Sequence, residues 1–177
     1  MVSGPRARAA GPGCRGDVKI MKRLFAVLAL LLPVLAQAGY DDAVQAYAAG
    51  EYSKALAEFR ALADQGDTKS QYFVGFLYRH GYGVPVDNAE AAKWFLKAAE
   101  KGDSLSQYYL GKMAEAGEGM PKDLTLAHMW LSLSVKGAPN VRDAAYTRDE
   151  IRKLERKMSA AEIAKAKEMA QQWKPQQ

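Results

Sequence analysis

The chain repeats itself at a spacing of 36 residues. The stretch "GDTKSQYFVGFLYRHGYGVPVDNAEAAKWFLKAAEKGD", from Gly66, falls on "GDSLSQYYLGKMAEAGEGMPKDLTLAHMWLSLSVKGAP", from Gly102. Gly75, Gly81, Gly83, Asp87, Ala91 and Trp94 recur as Gly111, Gly117, Gly119, Asp123, Ala127 and Trp130, and Gln71 and Tyr72 recur as Gln107 and Tyr108. A period in the mid-thirties belongs to helical solenoids, in which a helix pair buries its apolar face only by stacking on the next pair. That feature excludes most other architectures at once.

Within each copy the glycine-rich segment reads as a corner. In "HGYGVPVD", His80 to Asp87, Gly81 follows a helix and suits the left-handed conformation that closes one. Pro85 forbids helical continuation, and Asp87 stands where an N-cap is needed, with Glu90 three residues on as a capping box. A phosphate-cradling loop would want a Lys-Ser/Thr pair or a preceding strand, and neither is present.

Between the corners the apolar spacing is helical. Ala91, Trp94, Phe95, Ala98 and Ala99 recur at intervals of three and four, with Lys93, Lys97 and Glu100 turned away. Upstream, Ala55, Phe59 and Gly66 lie one period before Ala91, Phe95 and Gly102, which marks a variant copy with a shorter corner. Downstream the pattern fades into two stripes, Ala144, Ile151, Leu154 and Met158, then Ile163, Ala166, Ala170 and Trp173. Ser159 and Glu162 form a capping box for the second stripe. The expected fold is all-α, a solenoid of αα-hairpins closed by C-terminal capping helices. Helices are predicted near 41–49, 52–65, 69–80, 88–101, 104–116, 124–136, 141–157 and 160–173, grouped as units 39–65, 66–101, 102–137 and 138–177.

Residues 1–38 read differently. Lys22 and Arg23 precede an apolar run from Leu24 to Leu35, and Ala36-Gln37-Ala38 offers a small-x-small cleavage pattern. This is an export signal, too short for a membrane span of about 20 apolar residues. Translation is expected to start at Met21 and cleavage to follow Ala38, giving a periplasmic or secreted protein. The chain holds 25 Lys/Arg and 20 Asp/Glu, but residues 39–177 hold 19 of each, so the basic balance belongs to the leader. The one cysteine, Cys14, also precedes the cleavage site, and the exported chain is stable without disulfides.

No catalytic or metal constellation emerges. His80 and His128 have no Cys, His, Asp or Glu at metal-ligand spacing, and no Gly-x-Ser-x-Gly or Ser-x-x-Lys arrangement marks a nucleophile. His80 stands at a helix end where a cationic ring would favour the dipole. The run "RDEIRKLERK" sets Asp149 and Glu150 at i+4 and i+3 from Lys153, a solvated helix face more than a phosphate-binding stripe. Neither a cofactor nor a nucleic-acid partner is expected.

Together, Ser70, Val74-Gly75, Tyr78, Gly81-x-Gly83-Val84, Asp87, Ala91, Trp94 and Ala98-Ala99 resemble the Sel1-like repeat family, relatives of the tetratricopeptide repeat. The resemblance covers 66–137 well and 41–65 as a tetratricopeptide-like unit. It implies an adaptor that holds a protein or peptide partner. By that analogy the first helix of each pair lines a concave face, with Lys69, Tyr72, Phe76, Arg79, Tyr108, Lys112 and Glu115 as partner-binding residues. Tyr72, Phe76 and Tyr108 have a second reading, packing between neighbouring helices. Some exported relatives carry a cysteine pair per repeat and are described as penicillin-binding or β-lactamase-like. An envelope hydrolase or peptidoglycan-active protein is therefore the alternative, and the missing cysteines weaken it. One structural expectation follows directly: if Trp94 fills the space beside its small neighbours, Trp94→Ala costs about 3–5 kcal/mol in chemical denaturation.

Overall fold

Asp67, Asp87, Asp103 and Asp123 start four helices. Each has an extended backbone, and its carboxylate accepts from the backbone N–H three residues on, at Ser70, Glu90, Ser106 and Leu126, over 2.7–2.9 Å. The structure, a computed structural model, describes residues 39–176. The start site and the export signal predicted for 1–38 lie outside the described residues. Among those described there are eight helices and no strand: α1 (39–48), α2 (Tyr52–Asp64), α3 (Thr68–His80), α4 (Asn88–Glu100), α5 (Ser104–Ala116), α6 (Leu124–Gly137), α7 (Val141–Glu155) and α8 (Ala160–Gln172). The ends differ from those read in the sequence by no more than two residues, the usual scatter at frayed termini.

The corners form as their residues require. Gly81 and Gly117 take the left-handed conformation, with φ of 69° and 79°, and donate to the carbonyls of Leu77 and Met113. The returning chain then bonds back to the helix it left, Asp87 N–H to Tyr78 O at 3.0 Å and Asp123 N–H to Ala114 O at 2.9 Å. That second bond corrects one expectation: Glu90 does not close a capping box. The Asp87 amide is already taken, and the Glu90 carboxylate accepts from Trp94 Nε1 at 3.0 Å and from Lys93 at 2.9 Å. Lys97 also differs, since it does not turn away but lies over the Trp94 ring, 3.8 Å from its centroid. At α8 the Ser159–Glu162 capping box is complete.

Packing follows the period. α3 lies on α4 and α5 on α6 within pairs, while α2 meets α3 and α4 meets α5 between pairs. Gly75 and Gly111 are the contact points within pairs: an added Cβ would stand 2.9 Å from the Phe95 ring and 2.6 Å from Leu131 Cγ. Between pairs, a Cβ on Gly83 would stand 2.5 Å from Ser53 N at the start of α2, and one on Gly119 would enter the Asn88 carbonyl at the start of α4. Two side-chain amides fasten the same seam, Gln71 Nε2 donating to Ala63 O and Gln107 Nε2 to Ala99 O, both at 3.1 Å. Each is a second donor to its carbonyl, which also accepts from the backbone of Gly66 or Gly102 at the helix end.

Three adjoining groups of buried side chains make up the interior. Phe59, Val74, Leu77 and Trp94 fill the first, Phe95, Leu110, Met113 and Trp130 the second, and Ala114, Leu131 and Leu154 the third. The cap differs from the repeats because α6 receives both α7 and α8. Trp173 meets Trp130 edge-on, and the tail runs on until Gln176 N–H bonds Glu100 O at 2.7 Å.

The glycine contacts rank a mutational series. Gly111→Ala must displace Leu131 and should cost about 1–3 kcal/mol, the usual penalty for overpacking. Gly119→Ala meets backbone that cannot rotate aside and should cost more. Urea denaturation of both variants checks the order, and equal, near-zero losses would mean that the close approaches are not real.

Candidate functional site

The odd-numbered helices bring their aromatic residues into one row. Tyr40 and Tyr47 come from α1, Tyr72, Phe73 and Phe76 from α3, Tyr108 and Tyr109 from α5, and Tyr146 from α7. Ring contacts are continuous: Tyr47 meets Phe76 at 6.4 Å, Phe76 meets Tyr109 at 6.2 Å, Tyr109 meets Tyr108 at 5.8 Å and Tyr108 meets Tyr146 at 6.1 Å. Below the row, Phe73 stacks on Phe59 at 4.6 Å and Tyr109 on Phe95 at 4.9 Å. The repeat explains this, since Phe73 and Tyr109 are one period apart and present a ring to the same place on α2 and α4.

The row is half-buried, and its chemistry shows it. Burial, with Tyr109 beside it, pushes the Tyr72 phenol well above the usual tyrosine range, and burial with Tyr146 does the same for Tyr108. Both hydroxyls stay protonated and remain hydrogen-bond donors at any physiological pH. His80 extends the row against Phe76 at 4.3 Å and Tyr82 at 5.6 Å. Desolvation, helped by Arg79, lowers its imidazole below the ordinary 6.5. The shift works against the cationic form that the helix dipole would favour.

The seven residues picked from the sequence fall into three settings. Lys69 is exposed, with its ammonium 5.8 Å from the Tyr40 ring. Tyr72, Phe76 and Tyr108 are partly buried and belong to the row, so they pack between helices while keeping an open edge. Arg79, Lys112 and Glu115 are engaged within the chain. Arg79 Nη1 stands 2.7 Å from Glu118 Oε2, close enough for an ion pair but without hydrogen-bond alignment. Lys112 bridges Glu115 and Glu150 at 2.7 Å each, and Lys157 reaches Glu115 at 2.8 Å. These contacts join α5 to α7. Beside them, Leu105, Tyr108, Pro139, Tyr146 and Thr147 line an open apolar hollow of about 140 Å³. Tyr40, Tyr47, Tyr109 and Tyr146 were not singled out in the sequence. Tyr109 could have been found as the periodic partner of Phe73, whereas Tyr146 carries no periodic signal.

His128 is the one buried histidine among the described residues. Its Nε2 lies 3.0 Å from Glu155 Oε1 and its Nδ1 3.2 Å from Ser132 Oγ, a Ser-His-Glu sequence of contacts invisible in the sequence because Glu155 is 27 residues away. It does not build a hydrolytic centre. Ser132 sits inside α6, where backbone N–H groups are spent on the helix and none is left to hold an oxyanion. His128 itself is 1% exposed, closed off from any acyl group. The arrangement ties helices together, with Lys167 completing it at 3.0 Å from Glu155.

The α5–α7 cluster has a pH signature. Lys112 and Lys153 hold the Glu150 carboxyl below the ordinary 4.5. Desolvation would raise Glu115, but Lys112 and Lys157 outweigh it and hold that carboxyl below 4.5 as well. Folded-state values below the unfolded ones mean stabilisation that is complete above about pH 4.5 and lost as pH falls through the lowered values. Glu150→Gln should therefore lose of order 1–2 kcal/mol at pH 7, with partial exposure of Lys112 keeping the figure modest. Thermal melts should show the gap to the parent protein closing below about pH 4.

Comparison with known proteins follows the same boundaries. The Sel1 repeat model matches residues 68–103 and 104–137, which begin on the first residues of α3 and α5. Among solved structures, the chain is similar to a protective antigen present in uropathogenic Escherichia coli strains displaying an SLR fold. The two share 28% identity with a TM-score of 0.70, over 78% of this chain and 29% of that one. It is also similar in fold to a Sel1 repeat protein from Oxalobacter formigenes, at 24% identity and a TM-score of 0.58, over 75% of this chain and 55% of that one. The chain thus spans less than a third of the first protein and about half of the second. No curated protein matches it. With helix pairs, corners and glycine contacts all recurring at the matched boundaries, residues 68–137 are two Sel1 repeats in a chain with the Sel1-like repeat fold.

Proposed function

We propose that this protein is a non-catalytic adaptor that holds a segment of a partner protein along the face made by α1, α3, α5 and α7. The observation that carries the reading is the continuous aromatic row from Tyr40 to Tyr146. Sel1 repeats usually mediate protein interactions, and aromatic side chains supply large contact area at low entropic cost. Half-burial matters here: rings already fixed by neighbours lose little further freedom when a partner covers their open edges. Lys69 flanks the α1–α3 end of the row, and the hollow beside Tyr108 and Tyr146 marks its α5–α7 end. Arg79, Lys112 and Glu115 act in this reading by holding the helices in register. The sequence of Lys22 to Ala38 supports work outside the cytoplasm, in the periplasm or beyond.

Site-specific photo-crosslinking in cells tests the reading. Probes at Lys69 and Tyr146 occupy the two ends of the row, and a control at Lys93 lies on α4, outside it. We expect the same protein adduct from both row positions and none from Lys93. Equal labelling from all three would remove the row as the binding face, and a purified enzyme activity lost on one row substitution would favour the hydrolase instead.

A further inference from the structure

Most bases in the repeats are held within the chain. Lys54, Arg79, Lys93 and Lys112 pair with carboxylates, Lys101 donates to Gly66 O, and Lys97 covers Trp94. The C-terminal helices break this rule. Residues 39–139 hold ten Lys/Arg and thirteen Asp/Glu, a net −3, while 140–177 hold nine and six, a net +3. On α7 and its C-cap, Arg142, Arg148 and Arg156 are exposed and have no side-chain ion pair or hydrogen bond among the described residues, and Arg152 is paired only with Asp149, at 3.1 Å.

These arginines share a face. Ala144, Thr147 and Leu154 point α7 into the core. At 3.6 residues per turn, Arg142, Ala145, Asp149, Arg152, Lys153 and the C-cap Arg156 fall on the opposite side with Arg148 at its flank, a stripe about 21 Å long in which Asp149 pairs with Arg152 and Lys153. Of the lysines of the helix region, Lys157 reaches back to Glu115, while Lys153 pairs with Asp149 at 3.2 Å as well as with Glu150. At the start of the stripe stand Val141, 82% exposed, and Tyr146, 58% exposed. Guanidinium groups dominate this face, with one carboxylate, Asp149, and one lysine, Lys153, among them, and an exposed tyrosine and an exposed valine stand near its start. Arg and Tyr are enriched in protein interfaces.

We infer that the outward face of α7 is a second docking surface, for an acidic segment of a partner protein. Carboxylates spaced along the segment meet Arg142, Arg148, Arg152 and Arg156 in two-pronged hydrogen bonds, which a guanidinium fork makes and an ammonium does not. An apolar side chain of the same segment covers Val141 at the start of the helix. The surface faces away from the core on its own helix and shares only Tyr146 with the aromatic row, so its arginines do not depend on the row being a binding site.

The test uses a fluorescein-labelled peptide of alternating glutamate and leucine and the protein lacking only residues removed in the cell. Binding is read by anisotropy at 50 and 150 mM salt. Against the parent stand Arg142→Glu/Arg148→Glu/Arg156→Glu, the same three sites as Lys, and a charge-matched control, Lys122→Glu/Lys165→Glu/Lys174→Glu. All nine substitutions are on exposed side chains without partners, and circular dichroism confirms the fold of each variant. We expect at least tenfold weaker binding for the glutamate variant, at least threefold for the lysine variant, and less than twofold change for the control. Equal losses in the glutamate variant and the control would reduce the effect to net charge and overturn the assignment. So would unchanged binding in the lysine variant, or tighter binding of phosphatidylglycerol vesicles than of the peptide with the same dependence on the three arginines, which would make α7 a membrane-facing surface.

Discussion

The contact on which the stack depends is the approach of a corner to the helix start one unit earlier. Gly83 lies against Tyr52 and Ser53, and Gly119 against Asn88 and Ala89, so closely that a Cβ has no room. A solenoid has few long-range contacts with which to fix the angle between units, because each unit touches only its neighbours. Backbone touching backbone at one point per seam provides it. Since the touching atoms cannot rotate away, the seam holds one geometry where side chains alone would tolerate several. The Gln71 and Gln107 amides then close the other end of each seam with a hydrogen bond to a helix-end carbonyl of the preceding unit.

That fixed angle is what lays α1, α3, α5 and α7 side by side. A ring on one odd-numbered helix can then reach a ring on the next, and the row forms without any sequence-local pairing. Individually such contacts are modest, about 0.5–1.5 kcal/mol beyond the area they bury. Their functional weight comes from continuity. The same alignment sets Lys112 between two carboxylates, one on its own helix and one on α7, so charge finishes the stacking that rings begin.

How much of this was legible follows from where the information lies. Corners, N-caps and the Gly75 and Gly111 contacts are set by residues that recur, and a period exposes them. Glu90 misled because a capping box is only one use of a carboxylate at that position, and Trp94 one turn on offered its indole N–H as a competing donor. Lys97 misled for a related reason: a long side chain counted as outward by its Cα bends back over an aromatic face. Lys112 and Glu115, partners of each other on one helix, hide further partners 38 and 42 residues away in the non-repeating cap, and Arg79 pairs with Glu118 at a corner position that the first repeat fills with Tyr82. Tyr146 lacks a periodic counterpart for the same reason. Periodicity reports what units share, and the site draws equally on what they do not.

The end of the stack shows that difference at one position. His128 stands one period after Ala92, which is buried and makes no polar contact to a following helix. Replacing a methyl by an imidazole there gives α6 a hydrogen bond that the earlier unit lacks. Glu155 takes it from α7, and Lys167 of α8 pairs with the same carboxylate oxygen. Three helices meet at one carboxylate, and desolvation of the three groups is offset because each satisfies another. With α7 and α8 both committed to α6, no face remains arranged to receive a further unit by the glycine seam. The repeat thus gives way to the cap at a unit where an imidazole stands in the place that a methyl group holds one period earlier.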